Sequence, residues 1–96
     1  MGILDLFRRH KKDDESARQL HLLRTGRLAE GTIFDVSTDE AGRITHIFFN
    51  YNINNVDYEA SQTLNDAQRE RQADYAPGAH ITVRYNPHQP GNSVVV

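Results

Sequence analysis

The stretch from Arg43 to about Leu64 constrains the fold more than any other part of the chain. It consists of two alternating runs on either side of Asn54-Asn55. Successive side chains of an extended strand point to opposite faces. Ile47, Phe49, Tyr51 and Ile53 therefore share one face of a strand over 43–53, and Ile44, His46, Phe48, Asn50 and Asn52 share the other. A two-residue turn at Asn54-Asn55 pairs Ile53 with Val56, Tyr51 with Tyr58 and Phe49 with Ala60, and sets Asn52 against Asp57 and Asn50 against Glu59. Apolar positions then meet apolar ones throughout, an agreement that a one-residue slip would destroy. The pattern predicts a β-hairpin with one buried face.

Three further strands are predicted around it. Leu28, Thr32, Phe34 and Val36 alternate with Ala29, Gly31, Ile33 and Asp35, giving a first strand over 28–37 in which Gly31 marks a bulge or a close backbone approach. Asp39-Glu40-Ala41-Gly42 makes a hairpin loop, with Gly42 available for positive φ. Residues 65–74 are polar, with Asn65 and Gln68 at capping-box spacing, and predict a short solvated helix. Pro77-Gly78 fits the centre of a type II turn. A fourth strand over 79–85 buries Ile81, Val83 and Tyr85. Asn86-Pro87 ends it, Pro90-Gly91 turns the chain, and residues 93–96 form the last strand.

The N-terminal part follows a helical period. Asp13-Asp14-Glu15 suits a first turn, Ala17, Leu20 and Leu23 recur every third residue, Arg24 lies in the last turn, and Gly26 stands at C′. A helix is predicted over 14–25, within a segment 13–26, with Leu20 and Leu23 covering an open end or face of the sheet. Residues 1–12 form a separate basic lead. The expected architecture is mainly β: a small five-stranded antiparallel barrel or strongly bent sheet over 27–96, an N-terminal helix, and a short helix between strands 3 and 4. A chain of 96 residues suits one core rather than two.

Charge is distributed unevenly. Residues 1–27 hold seven Lys/Arg and four Asp/Glu, a balance of +3, whereas residues 28–96 hold four and nine, a balance of −5. An acidic body repels phosphate backbones, so nucleic acid is not an expected partner, and single-strand binding ranks as the least favoured reading. The lead is different. Ile3, Leu4 and Phe7 make an apolar stripe followed by Arg8, Arg9, Lys11 and Lys12, a pattern suited to weak, reversible contact with an anionic membrane surface. No apolar run approaches the roughly 20 residues of a membrane span, and Ile3–Phe7 is too short for a signal peptide. The chain contains no cysteine, which fits a reducing compartment. These features give a cytoplasmic expectation, at the inner face of the membrane where the lead engages lipid.

Tyr75, Gly78, Ile81, Val83, Arg84, Tyr85, Asn86, Pro87, Pro90, Ser93 and Val94 spell Y-x-x-G-x-x-I-x-V-R-Y-N-P-x-x-P-x-x-S-V. This resembles the closing signature of a widespread bacterial family of small β-barrel domains of unknown function, often found beside transmembrane helices. Gly26, Ala29, Gly31 and Ile33 are similar to that family's opening strand, and Tyr51 and Tyr58 fit its central hairpin, so the resemblance covers about residues 26–96. It implies a barrel fold and a position near membranes or secretion machinery, with no catalytic residues to transfer. The chain departs from the common pattern in lacking flanking transmembrane helices.

The residues that bear chemistry point away from catalysis. His10, His21, His46, His80 and His88 show no ligand spacing on a helix or strand, so they are expected on the surface, with no metal and no cofactor. Ser16, Ser37, Ser61 and Ser93 sit in no nucleophile motif. No enzymatic activity is expected. Two surfaces are candidates for an unidentified protein partner. One is Ile44, His46, Phe48, Asn50 and Asn52, where Phe48 either lies beneath the helix through Leu20 and Leu23 or presents an aromatic contact. The other is Val94, Val95 and Val96, either an ordinary closing strand or an edge open to self-association. The leading expectation is a non-catalytic interaction or accessory module, with peripheral membrane attachment as the alternative.

Overall fold

The computed structural model describes residues 15–96. Helix α1, residues 15–25, leads into five strands: β1 Arg27–Thr38, β2 Ile44–Ile53, β3 Val56–Thr63, β4 His80–Asn86 and β5 Gln89–Val95. Every ladder is antiparallel, in the order β3-β2-β1-β4-β5, and the sheet curls into a nearly closed barrel. The expected fold class is the one observed. The expectations for Ile3, Leu4, Phe7, Arg8, Arg9, Lys11 and Lys12 lie outside the described residues.

The β2–β3 hairpin has the register read from the sequence, with Ile53 opposite Val56, Tyr51 opposite Tyr58 and Phe49 opposite Ala60. Asn54 and Asn55 both take positive φ, 51° and 67°, as a two-residue turn compatible with strand twist requires. Gly78, at φ 91°, follows Pro77 in the expected type II turn, closed by Ala79 N–H donating to Ala76 O at 2.9 Å.

The strand β1 lies centrally, between β2 and β4. Gly31 faces Tyr51 on one side and Ile81 on the other, and a Cβ there would fall 2.7 Å from the Asn50 carbonyl oxygen. Gly31 therefore marks a close approach, and the bulge lies at Phe34, the extra residue between the pairs Ile33–Phe49 and Asp35–Phe48. This bulge keeps Ile33 and Val36 inside despite their three-residue spacing. A second irregularity, at Thr45, turns Ile44 against the core.

Ile33, Ile47, Phe49, Tyr51, Leu64, Tyr75, Ile81, Val83 and Val95 fill the interior. Phe49 is fully buried, and its truncation to Ala would cost about 3–5 kcal/mol. The segment between β3 and β4 is neither one helix nor wholly solvated. Its first part, α2 Asp66–Arg69, carries the expected capping box of Asn65 and Gln68, and a 3-10 turn, Gln72–Tyr75, then buries Tyr75 in the core. The side chain of Gln72 accepts a hydrogen bond from Ile44 N–H, fixing this turn to the start of β2.

Two other expectations are corrected. Leu20 and Leu23 are exposed, and the docking residue of α1 is Leu22, 1 % exposed. Arg18 stands one turn before it on the same stripe and donates to Asn92 Oδ1 and Ser93 O on β5, while Arg84 on β4 donates to Gly26 O. The helix is thus tied to β4 and β5, on the far side of β1 from the strand that carries Phe48. Gly26 is required by space rather than by a left-handed backbone, since a Cβ would lie 2.6 Å from Leu22 O. In addition, Pro90-Gly91 lies within β5. The turn is at Pro87-His88, and the jump in register from Tyr85–Ser93 to Asn86–Gln89 leaves Pro90, Gly91 and Asn92 bulged from the ladder. An edge strand tolerates a proline there because no ladder donor is lost.

Candidate functional site

The outer face of β1, β2 and β3 gathers the most distinctive exposed side chains. Across it, Asp35, Phe48 and Ser61 form one row. The bulge adds Phe34 at this level, half exposed beside Asp35, so two aromatic residues emerge on the same surface. Phe48 is half-buried, and the His46 ring lies 5.2 Å from it. The Nδ1 atom of His46 is hydrogen-bonded to Thr63 Oγ1 at 2.9 Å, which holds the ring in place. Asn50 and Asn52 are exposed further along, and Asn52 donates to Asp57 Oδ1 at 2.8 Å. His46, Phe48, Asn50 and Asn52 therefore share one surface, and Ile44 does not. Strict alternation cannot reveal Phe34 here, because it is an inserted residue.

The C-terminal valines are divided. Val94 and Val95 are buried, Val95 within the barrel core and Val94 outside that cluster, and Val96 is exposed. Two outward backbone groups of β5 are bonded to side chains. Val95 N–H donates to Gln62 Oε1, and Ser93 O accepts from Arg18.

Tyr51 links the hairpin to the barrel's far edge. Its ring stacks between Phe49 and Tyr58, at 6.0 and 5.6 Å, and its hydroxyl donates to Pro90 O at 2.6 Å. Burial pushes its phenol above the ordinary value. Among the described residues, no group of three or more His, Cys, Asp or Glu could hold a metal ion. His21, His80 and His88 are exposed. Open clefts adjoin His80, Ile81 and Thr82, one of about 370 Å³ with Glu30 and one of about 320 Å³ with Arg71, Asp74, Tyr75 and Val96.

A second exposed group lies at the α1–β1 junction. Leu20, Leu23 and Leu28 are exposed, with Arg24 and Arg27 exposed between them. Among the described residues, no helix is long and apolar enough to cross a membrane.

Comparison with known families covers the outer face of β1, β2 and β3 but not the exposed leucines of the α1–β1 junction. A model of the domain of unknown function DUF3592 matches residues 29–96, from the third residue of β1 to the end of β5 and beyond. The chain belongs to the DUF3592 family. The matched part of this DUF3592 domain contains the whole barrel except the first two residues of β1, and it leaves α1 outside. No curated protein and no solved structure matches the chain.

Proposed function

We propose that this DUF3592 domain is a non-catalytic protein-interaction module whose contact surface is the outer face of β1, β2 and β3. The observation that carries this reading is the bulge at Phe34, which sets an exposed aromatic at the level of Phe48 and His46. Aromatic side chains flanked by polar groups are favoured anchors at interfaces, because they bury large area at small conformational cost. Affinity capture from the source cell, with Phe34→Asp and Phe48→Asp compared against the unaltered chain, tests it. A partner that is held by the unaltered chain and lost by both folded variants supports the module. An identical set of captured proteins for all three would overturn it.

The exposed leucines favour a second reading, peripheral membrane attachment. Leu20, Leu23 and Leu28, interspersed with Arg24 and Arg27, extend the apolar and basic character of residues 1–12 onto the folded body. Such a patch suits anionic lipid, where leucines enter the interface and arginines meet head groups. The family resemblance, with its relatives beside transmembrane helices, is consistent with it. Co-sedimentation with anionic and neutral vesicles decides: binding that requires anionic lipid and is lost in Leu20→Asp/Leu23→Asp supports attachment, and indifference to lipid charge excludes it.

A further inference from the structure

We infer that the free edge of β3, over residues 57–61, accepts an extended partner segment as an added strand, one that carries Lys or Arg at alternate positions with apolar residues between. The inference rests on the interaction-module reading and names the partner's chemistry. The sheet has two edge strands, β3 and β5, and no ladder joins them among the described residues. The β5 edge is blunted by the Pro90–Asn92 bulge, Ser93 O accepts from Arg18, and Val95 N–H donates to Gln62 Oε1 of β3, so the two edges meet at Gln62 and the open part of β3 precedes it.

The β3 edge is different. A two-residue hairpin turn makes Ile53 and Val56 a hydrogen-bonded pair, and bonding then alternates along the strand. Tyr58, Ala60 and Gln62 consequently bond to β2, and Leu64 N–H donating to Thr45 O keeps the same parity. Asp57, Glu59 and Ser61 direct their backbone N–H and C=O groups away from β2, and no described strand pairs with them. Three such residues at two-residue spacing form a template for strand addition.

The side chains define the occupant. Asp57 and Glu59 are exposed on the outer face and would stand beside alternate residues of the incoming strand, so basic residues are attracted there. Tyr58 and Ala60 point inward and favour apolar neighbours. A second copy of the chain is disfavoured, because antiparallel self-pairing centred on Glu59 sets carboxylates against each other.

The probe is a capped nine-residue peptide alternating Lys and Val, with alternating Glu and Val as control, titrated into the full chain and followed by backbone amide NMR. Shifts and slowed exchange are expected at Asp57, Glu59 and Ser61 with the Lys peptide only. Asp57→Lys/Glu59→Lys should weaken that peptide about tenfold and admit the Glu peptide. Ser61→Pro removes one outward donor without touching the β2 ladder and should weaken binding several-fold while leaving Tm nearly unchanged. Equal affinity for both peptides overturns strand addition, as does slow exchange of these amides in the free chain, which would mean the edge is already occupied. Binding that maps to Phe34 and Phe48 instead also overturns it and leaves the interaction module standing. Absence of binding overturns it too, and capture by the aromatic face then decides the module separately.

Discussion

The side-chain carbonyl of Gln62, on β3, accepts a 2.9 Å hydrogen bond from the backbone N–H of Val95, on β5. It clasps two edge strands that no ladder joins, and both partners are buried. Replacing Gln62 with Leu leaves a buried N–H without an acceptor, which costs about 1–3 kcal/mol. Urea unfolding should show this loss, and the Val95 amide should exchange faster than in the unaltered chain.

Tyr51 makes the corresponding link from β2 through its hydroxyl to Pro90 O. Tyr51→Phe keeps the stacked ring and loses that bond, so a loss of about 0.5–1.5 kcal/mol is expected at neutral pH. The phenol, raised above 10.0 by burial, holds its proton more tightly folded than unfolded. Its contribution is therefore full below the unfolded value and declines as pH rises through the folded value. Unfolding curves should show the difference between the unaltered chain and the Tyr51→Phe variant shrinking only above about pH 10.

Leu22 and Leu20 separate docking from exposure within one helix. Leu22→Ala should cost about 2–5 kcal/mol if its pocket stays open, whereas Leu20→Ala should fall within about 0.5 kcal/mol of the unaltered chain. Hydrogen exchange over residues 15–25 gives a second reading, with protection lost in the Leu22 variant alone.

Gly31 tests the crowding at the centre of the sheet. An added methyl would lie 2.7 Å from Asn50 O and 3.3 Å from Ile81 Cγ1. Gly31→Ala must therefore push β1 from its neighbours and lose about 1–3 kcal/mol, measurable as a lowered denaturation midpoint. Gly42→Ala meets no atom within 4 Å but has φ +80°, so its smaller loss reports backbone strain alone.

The central hairpin was legible in residues 43–64 because its information is local. A period of two, two asparagines able to take positive φ, and complementary neighbours across the turn leave one sensible register. The Asn65 capping box and the Pro77-Gly78 turn were legible for the same reason. Each depends on residues within three positions of one another.

Other features depended on what lies opposite in space. Strict alternation contains no insertion at Phe34 or Thr45, so it does not reveal the aromatic pair on the outer face and puts Ile44 on the wrong side. Spacing of three favoured Leu20 and Leu23, but the position of Asn92 and Ser93 on β5 selected the stripe of Arg18 and Leu22. Local sequence thus determined the β2–β3 hairpin and its register, and roughly where the other strands lie. Only the curled sheet decided where the two edges are clasped and where β3 stays open, because those bonds join residues more than thirty positions apart, such as Gln62 and Val95.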